Sequence, residues 1–192
     1  AMAGVPDLAE STASPAFNTD WISLYNLPDA SGQAFNQARW WDGAVSQVVD
    51  GTITLTLLDS SLNPVIAYPS EDLWLESRDG GMSICPGGTV ADLSTDTNGQ
   101  TTWTVPMKAG GWSEDLLQVF VSGAPLTSDL GMSIKVNSAD INGSGKVELT
   151  DVTTFIGDFF GAYMYRSDLT YDTDINLLDA TRLIGGWGAE CN

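Results

Sequence analysis

From Trp21 to Val136 apolar and polar residues alternate in short runs. The clearest is Thr52-Ile53-Thr54-Leu55-Thr56-Leu57, where a period of two places Ile53, Leu55 and Leu57 on one face of a strand. Further runs span Trp21–Tyr25, Val65–Tyr68, Leu73–Leu75, Met82–Cys85, Thr101–Val105, Leu117–Val121 and Met132–Val136. Turn-forming residues separate them: Asp59-Ser60-Ser61, Asn63-Pro64, Asp79-Gly80-Gly81, Asn98-Gly99 and Ser122-Gly123-Ala124-Pro125. About eight short strands in about 115 residues, with no helical stripe, predict a mainly β protein built on a β-sandwich over residues 21–136. Residues 1–20 are polar and small and read as an extended N-terminal arm. Such an arm must be held by its own domain or by a neighbouring molecule, to whose sheet it can add a strand.

At Asn137 the alternation stops and a 28-residue repeat begins. The first copy runs Asp140-Ile141-Asn142-Gly143-Ser144-Gly145-Lys146-Val147-Glu148-Leu149-Thr150-Asp151, and the second spans Asp168–Asp179. Between Asp140–Gly157 and Asp168–Gly185, six of 18 aligned positions are identical. Oxygen-bearing side chains recur at loop positions 1, 3, 5, 9 and 12. These are Asp140, Asn142, Ser144, Glu148 and Asp151 in one loop, and Asp168, Thr170, Asp172, Asn176 and Asp179 in the other. Calcium takes six to eight hard oxygen ligands, and alternate residues of a tight loop point inward. Position 7, Lys146 or Asp174, supplies a backbone carbonyl, and position 12 closes the shell from the start of a helix. The pattern therefore predicts two Ca2+ ions. The β-branched residues at position 8, Val147 and Ile175, are expected to pair in a miniature sheet. A short helix follows each loop, over Val152–Phe160 and Ala180–Trp187.

Residues 137–192 resemble a dockerin, the paired calcium-loop module that binds cohesin domains in extracellular bacterial assemblies. Asp140, Asn142, Gly145, Val147 and Asp151 fit that pattern. Ser144, Thr170 and Thr173 depart from it, the last replacing a glycine that supplies an unusual backbone angle. The resemblance implies that positions 10 and 11, here Leu149-Thr150 and Leu177-Leu178, contact the partner. The near-symmetry of the two copies would then permit docking in either of two orientations. In the β half, Asp96–Trp103, and Leu57-Leu58-Asp59 followed by Asn63-Pro64-Val65, resemble bacterial immunoglobulin-like domains of the invasin type. The expected fold is thus an immunoglobulin-like β-sandwich with a small α-helical calcium-binding module behind it.

Composition narrows the function. The 192 residues carry 7 basic and 25 acidic side chains, no histidine and a net charge of -18. Nucleic acid and anionic membrane surfaces are excluded as partners, since both need clustered Lys and Arg. The absence of histidine removes Ser-His-Asp and Cys-His catalysis and imidazole metal sites. Asp outnumbers Glu by 19 to 6, which suits turns and hard-cation sites. Glu71, Asp72, Glu76 and Asp79 form an acidic group that we read as solvated surface rather than a glycosidase pair. Cys85 and Cys191 are read as one disulfide between the two halves. Trp21, Trp74 and Trp103 lie in predicted strands and are assigned to the core. Trp40, Trp41 and Trp112 fall between strands, and a coplanar row of the three would offer a carbohydrate platform. Ala1-Met2-Ala3 has the form of a signal-peptidase site or a cloning remnant.

The expectation is a secreted, non-enzymatic protein of extracellular assembly, stabilised by calcium. It would dock onto a cohesin-like protein or onto copies of itself, the arm and the disulfide favouring self-assembly. The alternative is a carbohydrate-binding module or small glycosidase delivered by a dockerin.

Overall fold

The computed structural model describes residues 4–192, so the Ala1–Ala3 tripeptide lies outside the described residues. In chain order the strands are β1 (Thr12–Pro15), β2 (Ile22–Asn26), β3 (Ala38–Trp41), β4 (Ser46–Val49), β5 (Ile53–Thr56) and β6 (Leu73–Ser77). They continue with β7 (Met82–Ile84), β8 (Gln100–Trp103), β9 (Ala109–Gly111), β10 (Leu117–Val121), β11 (Ala124–Pro125) and β12 (Ile134–Ser138). Two helices follow, α1 (Leu149–Phe159) and α2 (Leu177–Gly185). The chain is mainly β, with its helices confined to the C-terminal part.

The strands form sheets ordered β1-β5-β8, β11-β10-β6, β12-β2-β3-β4 and β7-β9. All pairs are antiparallel except β12 with β2, which are parallel. Residues 27–133 supply the long crossover that a parallel pair needs. The period-two pattern holds where it was strongest: Ile53, Leu55 and Leu57 are fully buried, and the threonines between them are not. With Ile22, Leu24, Leu73, Leu75, Trp103, Val119 and Ile134 they make one core shared by the sheets.

Several expectations change. The N-terminal arm is not free to cross to a neighbour. Its residues 12–15 pair antiparallel with β5 of the same chain, Thr12 opposite Thr56 and Pro15 opposite Ile53. Leu8 packs on the core, and Ser11 Oγ accepts the Leu58 N–H at 3.0 Å. Val65–Tyr68 is a loop, because Ala67 turns the backbone left-handed at φ 55° and ends any extended run. Trp40 and Trp41 lie in β3. Asp42 Oδ1 accepts the N–H groups of Ala44 and Val45 (2.8 Å each) and, with Gly43 at φ 94°, turns β3 into β4. Only Trp103 of the assigned tryptophans is fully buried. Trp74 alternates outward between buried Leu73 and Leu75 and stacks on Phe120 at 5.8 Å, and Trp21 lies beneath Lys135.

The β half and the helices share a second core. Tyr25 and Leu27 of the β2 segment pack with Ile141, Val147, Phe155, Leu169 and Leu183. Polar contacts follow the same seam. Ser23 Oγ lies 2.8 Å from the Tyr165 hydroxyl, and Asn137 Nδ2 donates to the Asp168 carbonyl at 2.7 Å. Cys85 after β7 is bonded to Cys191, with a Cα separation of 5.4 Å. The disulfide closes a loop of 106 residues. In the chain-entropy description such a loop is worth about 5 kcal/mol. Reduction, or Cys191→Ser, should therefore lower the unfolding free energy by about that amount. An unchanged urea midpoint would refute it.

Candidate metal centre

Each loop begins on a carboxylate that folds the loop around itself. In the first, Asp140 Oδ1 accepts the N–H of Ser144 (2.9 Å) and Oδ2 that of Gly145 (2.8 Å). In the second, Asp168 accepts the N–H groups of Asp172 (3.1 Å) and Thr173 (2.9 Å). The closing carboxylates match as closely. Asp151 accepts from the N–H of Asn142 (3.1 Å) and Glu148 (2.9 Å), and Asp179 from Thr170 (2.8 Å) and Asn176 (2.9 Å). Positions 1 and 12 thus bind the N–H groups of positions 5, 6, 3 and 9 in both copies. The two loops share one hydrogen-bond pattern although most of their residues differ.

The same carboxylates start the helices. Glu148 and Asn176 are N-caps, each in a capping box with the aspartate three residues on. The helices therefore begin three residues before the expected starts. The position-8 pairing is also corrected. Val147 exchanges backbone bonds with the C-terminal segment, its N–H to Ala189 O (2.9 Å) and its carbonyl to Gly188 N (3.1 Å), not with Ile175. Cys191 N–H donates to Gly145 O at 2.9 Å, so the disulfide anchors this segment against the first loop.

The donor sets are unequal. Carboxylate oxygens of Asp168, Asp172 and Asp179 lie within 4.8 Å of one another. That spacing suits oxygens around one cation with bonds of about 2.3–2.6 Å. The first loop brings two buried carboxylates, Asp140 and Asp151, with neutral donors between them. Ser144 Oγ donates to the Lys146 carbonyl at 3.1 Å, and Asn142 Oδ1 accepts the Ser144 N–H at 2.8 Å. Glu148 Oε1 accepts the Thr150 hydroxyl, and the Lys146 side chain turns away to Glu190. In the second loop Asn176 Nδ2 donates to Asp172 at 3.3 Å, Thr170 Oγ1 donates to Asp179 at 2.9 Å, and the Asp174 side chain is exposed.

Asp140, Asp151, Asp168 and Asp179 are all fully buried, and none has an ion-pair partner among the described residues. Burial pushes Asp140 and Asp179 upward against the backbone N–H bonds that hold the charged form. Burial pushes Asp168 furthest, from 3.8 to about 6. Tyr163, in the linker between the helices, donates its hydroxyl to Asp168 Oδ2 at 2.8 Å. Nothing in the repeat marked Tyr163, because it lies outside the loop register.

Left-handed backbone recurs at equivalent places. Gly143 (φ 68°) and Gly145 (φ 86°) correspond to Tyr171 (φ 54°) and Thr173 (φ 67°). Tyr171 is braced by an edge contact with Tyr165 at 6.0 Å, whereas Thr173 is exposed. The expected partner-contact residues Leu149, Thr150, Leu177 and Leu178 all lie on the surface. The three tryptophans proposed as a row face different ways. Trp40 packs on Phe17 and the first core, and Trp112 packs on the second core. Trp41, next to Trp40 in β3, takes the opposite face of the sheet. The acidic group at 71–79 does not converge either. Glu76 accepts from Trp74 Nε1, and Asp79 from Ser113 Oγ and the Gly81 N–H.

No protein-family model matches the chain, and no curated protein matches it. Among solved structures, the crystal structure of the Lin-41 filamin domain is similar over 68% of this chain and 95% of that chain. The identity is 11% and the TM-score 0.34, and a likeness at that level carries no argument.

Two outcomes follow. Thr173→Gly relieves a left-handed β-branched residue, a gain of about 1–2 kcal/mol, and adds chain entropy worth about 0.5–1 kcal/mol. It should raise stability in EGTA by about 0.5–1 kcal/mol; a lower melting temperature would refute the strain. Asp168 binds its proton more tightly in the folded state, so its contribution to metal-free stability is present below its unfolded value and lost as pH rises through about 6. In EGTA, the stability of the wild type relative to Asp168→Asn should fall by about 2 kcal/mol between about pH 4 and about pH 7. A pH-independent difference in urea unfolding would contradict this.

Proposed function

We propose that residues 137–192 are a dockerin-like unit that takes two Ca2+ ions, and that it docks the protein onto a cohesin-like partner outside the cell. In this reading the β half is an immunoglobulin-like β-sandwich carried as cargo, and the protein is not an enzyme. The observation that carries it is the division of labour among five of the six residues identical in the two copies, the sixth being Gly157/Gly185. Asp140/Asp168 and Asp151/Asp179 are buried at the loops. Leu149/Leu177, Thr153/Thr181 and Ile156/Ile184 are exposed along the outer faces of α1 and α2.

An oxygen-lined interior and a duplicated apolar exterior are what a metal-folded docking module needs. Leu149 is 65% exposed, Leu177 74% and Ile184 70%, values that fit a surface awaiting a partner. The inner faces are already used, Val152, Phe155 and Phe159 on α1 and Ala180 and Leu183 on α2 packing in the second core. Because the same triple stands on both helices, either helix can lead the contact.

Calcium offsets the repulsion among buried acids. It would take the net charge from -18 to about -14. The disulfide is consistent with an oxidising, extracellular setting. No helix among the described residues is long and apolar enough to cross a membrane. Pairing of the arm within its own sheet removes one of the two observations that favoured self-assembly, and the disulfide alone serves either version, so docking to a second protein is the stronger one.

Calorimetry should find two Ca2+ per chain, and excess EGTA should lower the melting temperature; an unchanged melting curve would sink the calcium reading. With a cohesin domain as partner, Leu149→Asp and Leu177→Asp each leave binding through the other helix, and the double variant loses it. Sedimentation of the protein alone into large calcium-dependent species would favour self-assembly instead.

A further inference from the structure

The sheet β12-β2-β3-β4 turns one face away from the first core, and the helical unit is laid across only part of it. Register places Lys135, Ser23, Arg39 and Val48 in one row of that face, and Trp41 and Ser46 in the next pair along β3 and β4. Tyr165 covers the β2 and β12 end. At the β3–β4 end the face stays open, and the second loop and α2 stand beside it as a wall. Ser46 Oγ, donating to the Thr170 carbonyl at 2.9 Å, ties the hairpin to that wall.

The result is a groove of about 510 Å3 between the two halves, with Arg39 and Trp41 from β3 and Arg182 from α2 in its lining. Such seams are common ligand sites, and this volume falls in the range of about 300–1,000 Å3 that small ligands occupy.

Its charge sets it apart. The chain has seven basic residues. Arg78, Lys135, Lys146 and Arg166 are in ion pairs, and Lys108 donates to Asn192. Arg39 and Arg182 have no carboxylate within 4.0 Å among the described residues, and both line this groove. Arg39 Nε is buried with no hydrogen-bond partner among the described residues, a donor that buried guanidinium groups rarely leave unused. Arg182 spends one N–H on the Leu169 carbonyl and lies over the Tyr25 ring. Burial and then the charge of Arg39 hold Arg182 below its usual value, so an anion between the two relieves repulsion already present.

We propose that this groove binds a uronic acid unit of an acidic saccharide. The carboxylate would lie on the guanidinium of Arg39, a geometry that accepts it bidentately. The half-buried Trp41 offers a flat apolar surface to the sugar ring. The Ser46 hydroxyl, which donates to the Thr170 carbonyl, keeps its lone pairs for a ring hydroxyl. Asp172 and Asp174 also line the groove, and their charge opposes an anion until a cation in the second loop neutralises it. The calcium dependence of the site rests on the metal reading above; the guanidinium pair does not.

The test is calorimetric titration of the full chain with tetragalacturonate, in saturating calcium and in EGTA. Neutral galactotetraose and hexaglutamate serve as controls. Saturable binding of tetragalacturonate is expected, absent for the neutral sugar and weaker for the peptide. Arg39→Gln should raise Kd by about tenfold or more, the loss of a charge-assisted contact, with an unchanged melting temperature. Trp41→Ala should weaken binding as well. No saturable binding to folded protein, equal binding of hexaglutamate, or an Arg39→Gln variant that binds as the wild type does would overturn the proposal. Binding that persists undiminished in EGTA supports the groove while counting against calcium in the second loop, which direct calcium titration decides separately.

Discussion

Asp140, Asp151, Asp168 and Asp179 are fully buried with no basic partner among the described residues, and the C-terminal part of the molecule is arranged around that constraint. A buried carboxylate is costly unless its lone pairs are filled. Here they are filled by backbone N–H groups of the loop itself, in one repeated pattern, and by Tyr163 on Asp168. The loops' turns, the helix starts and the left-handed residues at positions 4 and 6 all follow from wrapping the backbone around those oxygens. The residual strain of concentrated negative charge is what a divalent cation would relieve.

The paired-loop unit does not stand apart from the β half. Tyr25 and Leu27 are as much part of its core as Phe155 and Leu183 are. Gly110 shows how close the fit is, since a β-carbon there would meet Asp140 Oδ2 at 1.9 Å. With Gly111 N–H on the Asp140 carbonyl at 2.7 Å and the disulfide behind the first loop, that loop and the β7–β9 pair are mechanically joined. The same apposition leaves the second loop overhanging β3 and β4, and so makes the groove that holds Arg39, Trp41 and Arg182. The outer helix faces and the seam are separate surfaces, so the two proposed contacts do not compete.

How far residues alone could be read depended on how local the physics is. Ile53, Leu55 and Leu57 were legible because period-two burial needs only one strand and one core. The loop carboxylates were legible because spacing within twelve residues fixes which of them converge. β3 was not, since Trp40 and Trp41 look like loop residues until Asp42 and Gly43 close the hairpin behind them. The Val147 pairing failed for a related reason: its partner, Ala189, belongs to a segment placed by the disulfide rather than by the repeat.

By itself the sequence determined the strand-rich composition, the repeat, the oxygen donors at fixed loop positions and a single pair of cysteines available to bond. These are properties of short windows and of residue chemistry. Only the tertiary structure decided that the N-terminal arm completes its own sheet, that the loop unit shares a core with β2, and that Arg39 and Arg182, 143 positions apart, face one groove. Those outcomes depend on which faces are left uncovered when the sheets close, and side-chain periodicity carries no record of that.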